Sequence, residues 1–276
     1  MNIAKLKLAI AKAFDVAGIN ALGHFIQRKT LSPFIRAVNY HEINRPWVES
    51  FEKHVEFYST RFVNVTYEDL TGFLDTGKWP HDKPGLIITF DDGSTTHLET
   101  AAPILEKYGF TGWFFVPSGW VIEKHGVKGE KPWFVKEIEV LTHEQLKRLD
   151  EKHIIGCHTD THCRLSADVP AEKMRDEILG AQKEMEELLG HPVRLFSWTG
   201  GEESAYSKTA ADLVKEGFDL SFMTNSEVIR PGINPLQIQR TNVEAEHPLS
   251  LVRFQLSGIM DIAYAGKRKR VNKLTK

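Results

Sequence analysis

The chain has 276 residues, of which 41% are hydrophobic, enough to bury the core of one large α/β domain or two small ones. Its two cysteines, Cys157 and Cys163, exclude a disulfide framework, so we expect reduced thiols and a cytoplasmic protein. The formal charge is −2, but it is unevenly distributed. Residues 1–36 and residues 267–276 each contain six Lys or Arg, and the residues between them comprise 23 basic and 36 acidic side chains. This acidic body disfavours nucleic acid as a partner.

Residues 1–35 are predicted to form an amphipathic helical segment. Apolar residues recur there at helical spacing: Ile3, Leu6, Ile10, Phe14 and Ala17. Lys12 interrupts the stretch and no small-residue cleavage site follows, so it is not a clean secretory signal, and no apolar run is long enough to span a bilayer. The segment either packs on the domain or, with the basic tail at 267–276, lies on an anionic membrane surface.

The rest of the chain is predicted to alternate between strands and helices. Strands are predicted at 34–40, 62–65, 86–90, 111–116, 153–157, 193–198, 220–223 and 236–238. Helices are predicted at 46–58, after Thr66, at 100–108, from Thr142, and at 171–189, 205–216 and 249–262. Alternation favours parallel pairing in one domain at 36–266, either a barrel or a doubly wound sheet, with residues 117–140 as a candidate cover over the site.

Two adjacent carboxylates, Asp91 and Asp92, follow the apolar strand at 86–90. Like charges at the end of a buried strand must be solvated, paired or bound to metal, so the pair indicates a catalytic or metal site. Neighbouring side chains in an extended segment diverge. We therefore expect one aspartate to bind a metal ion and the other to accept a proton from water.

A second polar group, His158 and His162, follows the strand at 153–157. Histidines four apart lie on one side of a helical turn, so both imidazoles can reach one ion. Alone this spacing is a weak signal in a chain with twelve histidines. Combined with the aspartates, it predicts a divalent ion with open positions for water and substrate, and metal-assisted hydrolysis of an amide or ester.

At these motifs the chain resembles the polysaccharide deacetylases, carbohydrate esterase family 4, which carry the nodulation-factor deacetylase homology domain. Residues 89–93, Thr-Phe-Asp-Asp-Gly, match the first motif of that family, and residues 158–162, His-Thr-Asp-Thr-His, match its second. Residues 39–43 and 103–110 are similar to the branch that includes the biofilm poly-N-acetylglucosamine deacetylases. The resemblance covers roughly residues 36–245 as one domain.

The resemblance implies a function, a fold and a set of site residues. It implies Asp91 as the general base and Asp92, His158 and His162 as ligands of a divalent ion, usually Zn²⁺, with Co²⁺ or Ni²⁺ as alternatives. It implies a distorted (β/α) barrel with fewer than eight strands, and removal of an acetyl group from an N-acetylated saccharide. We expect this reaction in the cytoplasm, with the inner face of the membrane as a candidate location; the sequence does not indicate an oligomeric state.

The chain departs from the family at two places. The third motif, a Pro-Tyr-Gly-like turn, is replaced by Phe-Ser-Trp-Thr-Gly-Gly at 196–201, which either donates a backbone N–H to an oxyanion or is only a turn. No late Leu-x-x-His motif supplies the general acid. The candidates are His41, which ends the first strand, and His247, with a structural histidine as the default. Arg240 is predicted to orient Asp91 through a charged hydrogen bond.

Two further functions are compatible with the same barrel. One is hydrolysis of a C–N bond in a cyclic imide or ureide, and the other is carbohydrate binding without turnover. The altered third motif favours binding, while the intact Asp-His-His set opposes it. Four tryptophans are candidates for stacking on sugar rings, with buried packing at least as favoured: Trp113, Trp120, Trp133 and Trp198.

Overall fold

The computed structural model describes residues 3–121 and 138–276. Trp133 and most of the candidate cover at 117–140 therefore lie outside the described residues. Among the residues described, no helix has the length and apolar character that a bilayer span requires.

Parallel strands form the centre of the molecule. The strands are, in chain order, β1 (Ile35–Tyr40), β2 (Val63–Asn64), β3 (Gly85–Phe90), β4 (Gly112–Val116), β5 (Ile154–Cys157), β6 (Leu195–Ser197), β7 (Leu220–Met223), β8 (Val228–Ile229) and β9 (Ile238–Asn242). Within the described residues, β1, β3, β4, β5, β6, β7 and β9 pair in this order, and β9 returns to β1 with Arg240 beside Ala37. The predicted distorted (β/α) barrel with fewer than eight strands is confirmed.

Helices surround the barrel. They are α1 (Ile3–Val16), α2 (Ile19–Thr30), α3 (Val48–Arg61), α4 (Tyr67–Thr76), α5 (Ala102–Lys107), α6 (His143–Asp150), α7 (Ala171–Arg175), α8 (Ala181–Leu189), α9 (Lys208–Gly217), α10 (Leu249–Leu256) and α11 (Ile259–Leu274). The predicted cap Thr66 begins α4, because its hydroxyl accepts a hydrogen bond from the Asp69 N–H and the Asp69 carboxylate accepts one from the Thr66 N–H.

The predicted helical segment at 1–35 contains two helices, because Gly18 adopts a left-handed conformation (φ 73°) between them. Three other predicted boundaries were wrong. Gly258 (φ 91°) divides the predicted helix at 249–262. Residues 267–274, predicted as a tail, continue α11. The strand predicted at 236–238 runs instead from Ile238 to Asn242, because Pro235–Gln237 forms a 3₁₀ turn.

Side chains along each strand alternate between the barrel interior and the layer under the helices. The lower interior, near the amino ends of the strands, is apolar: Ile35, Ala37, Ile87, Trp113, Phe115, Leu195, Leu220, Phe222 and Ile238. Trp113 is therefore a core residue. Towards the carboxyl ends the interior side chains become polar and stay buried: Asn39, Thr89, Asp91, Ser197 and Arg240. This polar layer forms the floor of the candidate site, at the end of the barrel where such folds carry their chemistry.

Candidate metal centre and active site

Asp92, His158 and His162 converge above the polar layer. Each offers one ligand atom, and these atoms lie within 4.8 Å of one another. The Nε2 atoms of His162 and His158 lie 3.2 Å and 3.6 Å from Asp92 Oδ1, which is buried and accepts no hydrogen bond within the described residues. A buried carboxylate oxygen facing two imidazole nitrogens needs a cation to compensate it, so these three side chains fit a divalent metal ion.

The backbone turns sharply at the candidate ligands. Asp92 has a φ of 76°, Thr159 of 62° and His162 of 59°, a region that non-glycine residues seldom adopt. The prediction that a helical turn aligns the two histidines was therefore wrong, because residues 158–162 form an irregular loop. Such strain persists only where the surrounding structure holds it, and it concentrates at functional sites.

Glu177 holds the histidine loop in place. This buried carboxylate, between α7 and α8, accepts hydrogen bonds from the N–H groups of Asp160 (3.1 Å) and Thr161 (2.8 Å) and from the Thr161 hydroxyl (2.6 Å). The Thr159 hydroxyl accepts a further bond from the Cys163 N–H at 3.0 Å. Glu177 thus fixes the middle of the loop, between His158 and His162.

Hydrogen bonding and stacking orient the two imidazoles. His158 Nδ1 lies 2.9 Å from the Ser197 carbonyl oxygen and must donate to it, which leaves the Nε2 lone pair free towards Asp92. Burial lowers the pKa of His158 to about 4, which keeps the ring neutral as a ligand must be. Trp120 stacks on His162 at 5.1 Å between ring centroids and is itself buried, so it packs against the candidate ligand.

Asp91 and Arg240 form a bidentate ion pair inside the barrel. Arg240 Nη1 lies 2.7 Å from Asp91 Oδ1, and Nη2 lies 2.7 Å from Oδ2. Burial would raise the pKa of Asp91, but the charge and hydrogen bonds of Arg240, together with nearby His158 and His41, outweigh burial and hold that pKa below its usual value. Arg240 also donates to Asn39 Oδ1 at 2.9 Å and Ser197 Oγ at 2.8 Å. The carboxylate is therefore ionised and fixed in orientation beside the candidate metal ligands.

A cavity of about 480 Å³ opens above these residues, and His41 lines it. His41 Nδ1 lies 2.9 Å from Glu244 Oε1, and the His41 side chain is 38% exposed. Burial would lower the pKa of His41, but the Glu244 carboxylate, with smaller contributions from Asp92 and Asp91, outweighs burial and raises that pKa to about 10. His41 is therefore an imidazolium at neutral pH, with a proton available at the rim of the site.

His247, the other candidate acid, has a different position. Its Nδ1 accepts a hydrogen bond from the Glu244 N–H at 3.0 Å, and its carbonyl oxygen accepts one from His54 Nε2 at 2.7 Å. His247 is not among the described residues that line the cavity. It shapes the turn that presents Glu244 to His41.

The altered third motif lines the cavity with Trp198, Gly200 and Gly201. The Trp198 N–H donates to the Phe222 carbonyl at 3.0 Å, and the Gly201 N–H donates to Glu202 Oε2 at 3.1 Å. Among the hydrogen bonds of the described chain, none uses the Gly200 N–H. Gly200, with a φ of 77°, lines the cavity and can thus offer a backbone donor to an oxyanion.

Two residues that shape the site were not identified from the sequence. Glu244 lies two residues beyond the end of β9, where polar residues after a strand are a recognisable signal, but the last strand had been placed too early at 236–238. Glu177 lies in a helix 15 residues beyond His162, and no local pattern links a helical glutamate to a distant loop.

A family model described as polysaccharide deacetylase matches residues 78–218, about half of the chain, and spans both aspartates and both histidines. The chain belongs to the polysaccharide deacetylase family. The family predicted from the two motifs is thus confirmed. The match ends before Arg240 and Glu244, so these two side chains are assigned to the site by geometry alone.

Related proteins extend the similarity beyond the family model. YxkH of Bacillus subtilis, which bears the name of a polysaccharide deacetylase, is 26% identical over 178 residues, or 64% of this chain. The matched region spans 57% of the length of YxkH.

Solved deacetylase structures share the fold. Deacetylase PplD of Streptococcus pyogenes, solved with acetate, superposes with a TM-score of 0.66 at 16% identity, covering 81% of this chain and 98% of PplD. A de-N-acetylase from Aggregatibacter actinomycetemcomitans gives 0.65 at 17% identity, covering 81% of this chain and all (100%) of the de-N-acetylase. IcaB from Ammonifex degensii superposes with a TM-score of 0.64 at 21% identity, covering 81% of this chain and 96% of IcaB. At these identities the similarity establishes a common barrel.

Proposed function

We propose that this member of the polysaccharide deacetylase family is a metal-dependent hydrolase that removes the acetyl group from an N-acetylated saccharide. The observation that carries the proposal is the cluster of Asp92, His158 and His162 beside the ionised Asp91, at the floor of an open cavity. The motif similarity at residues 39–43 to the poly-N-acetylglucosamine deacetylases supports an amino sugar as the substrate. The unbridged cysteines support a cytoplasmic location.

Asp92, His158 and His162 would hold the ion, and Zn²⁺ fits two imidazoles and one carboxylate best, with Co²⁺ or Ni²⁺ as alternatives. When bound, the ion would lower the pKa of water and polarise the acetyl carbonyl. Asp91 accepts the proton of the attacking water. Arg240 keeps the Asp91 carboxylate ionised and oriented. Asp91 Oδ1 accepts bonds from Arg240 and the Ser197 hydroxyl, while Oδ2 accepts one from Arg240 and retains a lone pair for that proton.

His41 is the group that protonates the leaving amine. As the C–N bond breaks, the amine nitrogen takes a proton from the His41 imidazolium, and acetate leaves with the oxygen of the attacking water. Glu244 holds the His41 ring at the rim of the cavity and keeps it charged. The Gly200 N–H is available to the oxygen of the carbonyl under attack.

The decisive experiment compares Asp92→Ala with Asp91→Asn. We expect Asp92→Ala to lose both bound metal and acetate release, because it removes a ligand. Asp91→Asn should keep about one equivalent of metal, since Asp91 is not a ligand, and lose roughly 10²–10⁴-fold in rate with the general base. Metal content is measured by elemental analysis and acetate release by a coupled assay. An Asp92→Ala protein that retains both metal and activity would refute the proposal.

A panel of substrates tests the chemical class. Acetate release from N-acetylated saccharides is compared with ring opening of cyclic imides and ureides, before and after chelation and with added Zn²⁺, Co²⁺ or Ni²⁺. We expect metal-restored acetate release and no ring opening. Ring opening without acetate release would instead assign hydrolysis of a cyclic imide or ureide. A protein that is inactive with every metal would be assigned as a carbohydrate-binding barrel without turnover.

A further inference from the structure

Helix α2 (Ile19–Thr30) turns its polar side towards the protein. Asn20 and Gln27 are buried, and Gln27 Nε2 donates to the Leu256 carbonyl at 2.8 Å. His24 Nε2 lies 3.1 Å from the Arg253 carbonyl oxygen, and Gln27 Oε1 accepts a hydrogen bond from Arg36 at 2.7 Å. These bonds attach the helix to α10 and β1 through polar contacts. Its orientation is the reverse of that of an ordinary surface helix, which buries its apolar stripe.

The opposite side of α2 is apolar and exposed. Leu22, Phe25 and Ile26 are 56%, 58% and 48% exposed, and their spacing of three and four places them on one face. Of the eleven large hydrophobic residues exposed in the described chain, eight lie in α1 and α2 or the Val16–Ile19 turn between them. Scattered exposed apolar residues are normal in soluble proteins, but a contiguous patch marks a surface that is covered in use.

Basic residues border this face. Helices α1 and α2, residues 3–30, contain five Lys or Arg and one acid, Asp15, which pairs with Arg253 at 3.1 Å. Arg28 and Arg61 line a cavity of about 100 Å³ beside Phe25, and neither forms an ion pair with any described residue. Lys29 Nζ lies 5.9 Å from the centre of the Phe25 ring. An apolar face bordered by unpaired cations complements an anionic lipid surface.

A second copy of the chain fits this face less well. A two-fold dimer would place the same patch of each copy against the other, so Arg28, Lys29 and Arg61 would meet their own equivalents. Like charges brought together at a contact oppose association. Anionic headgroups, by contrast, neutralise these cations while the acyl region accepts Leu22, Phe25 and Ile26.

We propose that α2 docks on an anionic lipid bilayer, with Leu22, Phe25 and Ile26 at the boundary between headgroups and acyl chains. Arg28 and Arg61 bind headgroup phosphate in the small cavity beside Phe25. That cavity is also lined by Phe34 and Pro84, which precede β1 and β3, whereas the candidate active site lies at the carboxyl ends of these strands. Docking therefore leaves the active-site cavity open to water, and the inference stands independently of the proposed reaction.

Flotation of the full chain with vesicles tests the docking. We expect it to float with vesicles of phosphatidylcholine mixed with phosphatidylglycerol, and not with phosphatidylcholine alone. The triple variant Leu22→Ser/Phe25→Ser/Ile26→Ser should lose at least about tenfold in vesicle affinity. Arg28→Ala/Lys29→Ala/Arg61→Ala should lose about fivefold per residue near the surface, with a weaker salt dependence than the unchanged protein.

Matched controls separate this face from general stickiness. Trp47→Ser removes a 42% exposed aromatic residue that immediately precedes α3, at the end of that helix opposite Arg61. Lys183→Ala/Lys208→Ala/Lys215→Ala removes three cations from α8 and α9. Both should bind vesicles as the unchanged chain does. All replaced side chains on α2 are exposed, so unchanged circular dichroism and unchanged acetate release from a water-soluble substrate would show that docking alone was altered.

Three results would overturn the proposal. One is equal binding to neutral and anionic vesicles, and another is full vesicle binding by the triple Ser variant. The third is self-association without vesicle binding, measured by sedimentation and abolished by the triple Ser variant, which would assign the face to a second copy of the chain.

Discussion

Arg36 and Arg240 lie fully buried on neighbouring strands of the barrel, and each forms a two-pronged ion pair, yet their surroundings differ. Arg240 in β9 faces the barrel interior and holds Asp91, whose side chain is 4% exposed. Arg36 in β1 faces outward and holds Asp261 of α11, whose side chain is 15% exposed. The alternation of side chains along each strand places Arg240 inside the barrel and Arg36 outside it. The Arg240–Asp91 pair therefore positions a candidate catalytic group, and the Arg36–Asp261 pair attaches the C-terminal helix to the barrel.

Replacing Arg240 should have the largest effect in the molecule. In Arg240→Met, Asp91 remains buried without its partner, so we expect the free energy of unfolding to fall by about 3–5 kcal/mol. Acetate release should be lost, because the pKa of Asp91 rises and its orientation is released. Urea denaturation and an acetate assay measure the two effects. Metal content should persist, since Asp92, His158 and His162 are untouched.

A double variant separates the charge from the packing at this pair. Asp91→Asn/Arg240→Met removes both charges, so it should recover part of the stability that Arg240→Met loses, while remaining inactive. If Arg240→Met kept both its stability and its rate, the ion pair would have no part in the site.

Arg36→Met should cost less, about 2–4 kcal/mol, since the partly exposed Asp261 can regain water. Acetate release per folded molecule should stay unchanged, which is the contrast with Arg240. Burial would raise the pKa of Asp261, but Arg36 and the Ser226 hydroxyl outweigh it and lower that pKa. A lowered pKa contributes stability above the unfolded value and loses it in acid, so the stability difference from the unchanged chain should narrow below about pH 4. An equal loss of activity in both arginine variants would contradict the division of roles.

The two arginines also show what the sequence can predict. Asp91, Asp92, His158 and His162 were identified because each pair directly follows an apolar strand, a local pattern. The barrel followed from the alternation of strands and helices together with the family resemblance. Arg240 was predicted to orient Asp91, and the structure places it 2.7 Å from both carboxylate oxygens.

Other features depend on contacts that no local pattern encodes. Arg36 and Asp261 are 225 residues apart, and Arg36 was not singled out because a charge within an apolar strand does not name its partner. The predicted position of the strand containing Arg240 was too early, since Leu236 and Ile238 imitate a short strand, whereas the true strand Ile238–Asn242 has Ile238 as its single apolar residue. The left-handed conformation of His162 lies in a loop that the distant Glu177 holds at Asp160 and Thr161, a tertiary contact that no local pattern predicts.

Two serines provide a smaller, matched test of the same comparison. Ser197 Oγ accepts from Arg240 Nη2 at 2.8 Å, and Ser226 Oγ donates to Asp261 Oδ1 at 2.8 Å. Replacing either by Ala should lower the free energy of unfolding by about 1 kcal/mol in denaturant titrations. Only Ser197→Ala should also reduce kcat, because Arg240 and Asp91 lose a neighbour that fixes their geometry. A reduced kcat in Ser226→Ala would show that the Arg36–Asp261 pair also affects the active site.

The smallest structural effect is expected at a third pair, His41 and Glu244, which lies at the open rim of the cavity and not in the core. Glu244→Gln removes the charge that contributes most to raising the pKa of His41 to about 10, so that pKa should fall towards its ordinary value of 6.5. A general acid works only while it is protonated, and the alkaline limb of kcat/KM should therefore move to lower pH with little change in stability. Glu246→Gln is the control, because Glu246 lines the same cavity while His41 Nδ1 bonds Glu244. An alkaline limb that stays in place in Glu244→Gln would remove His41 as the proton donor and leave Asp91, once protonated by the attacking water, as the group that must pass its proton to the amine.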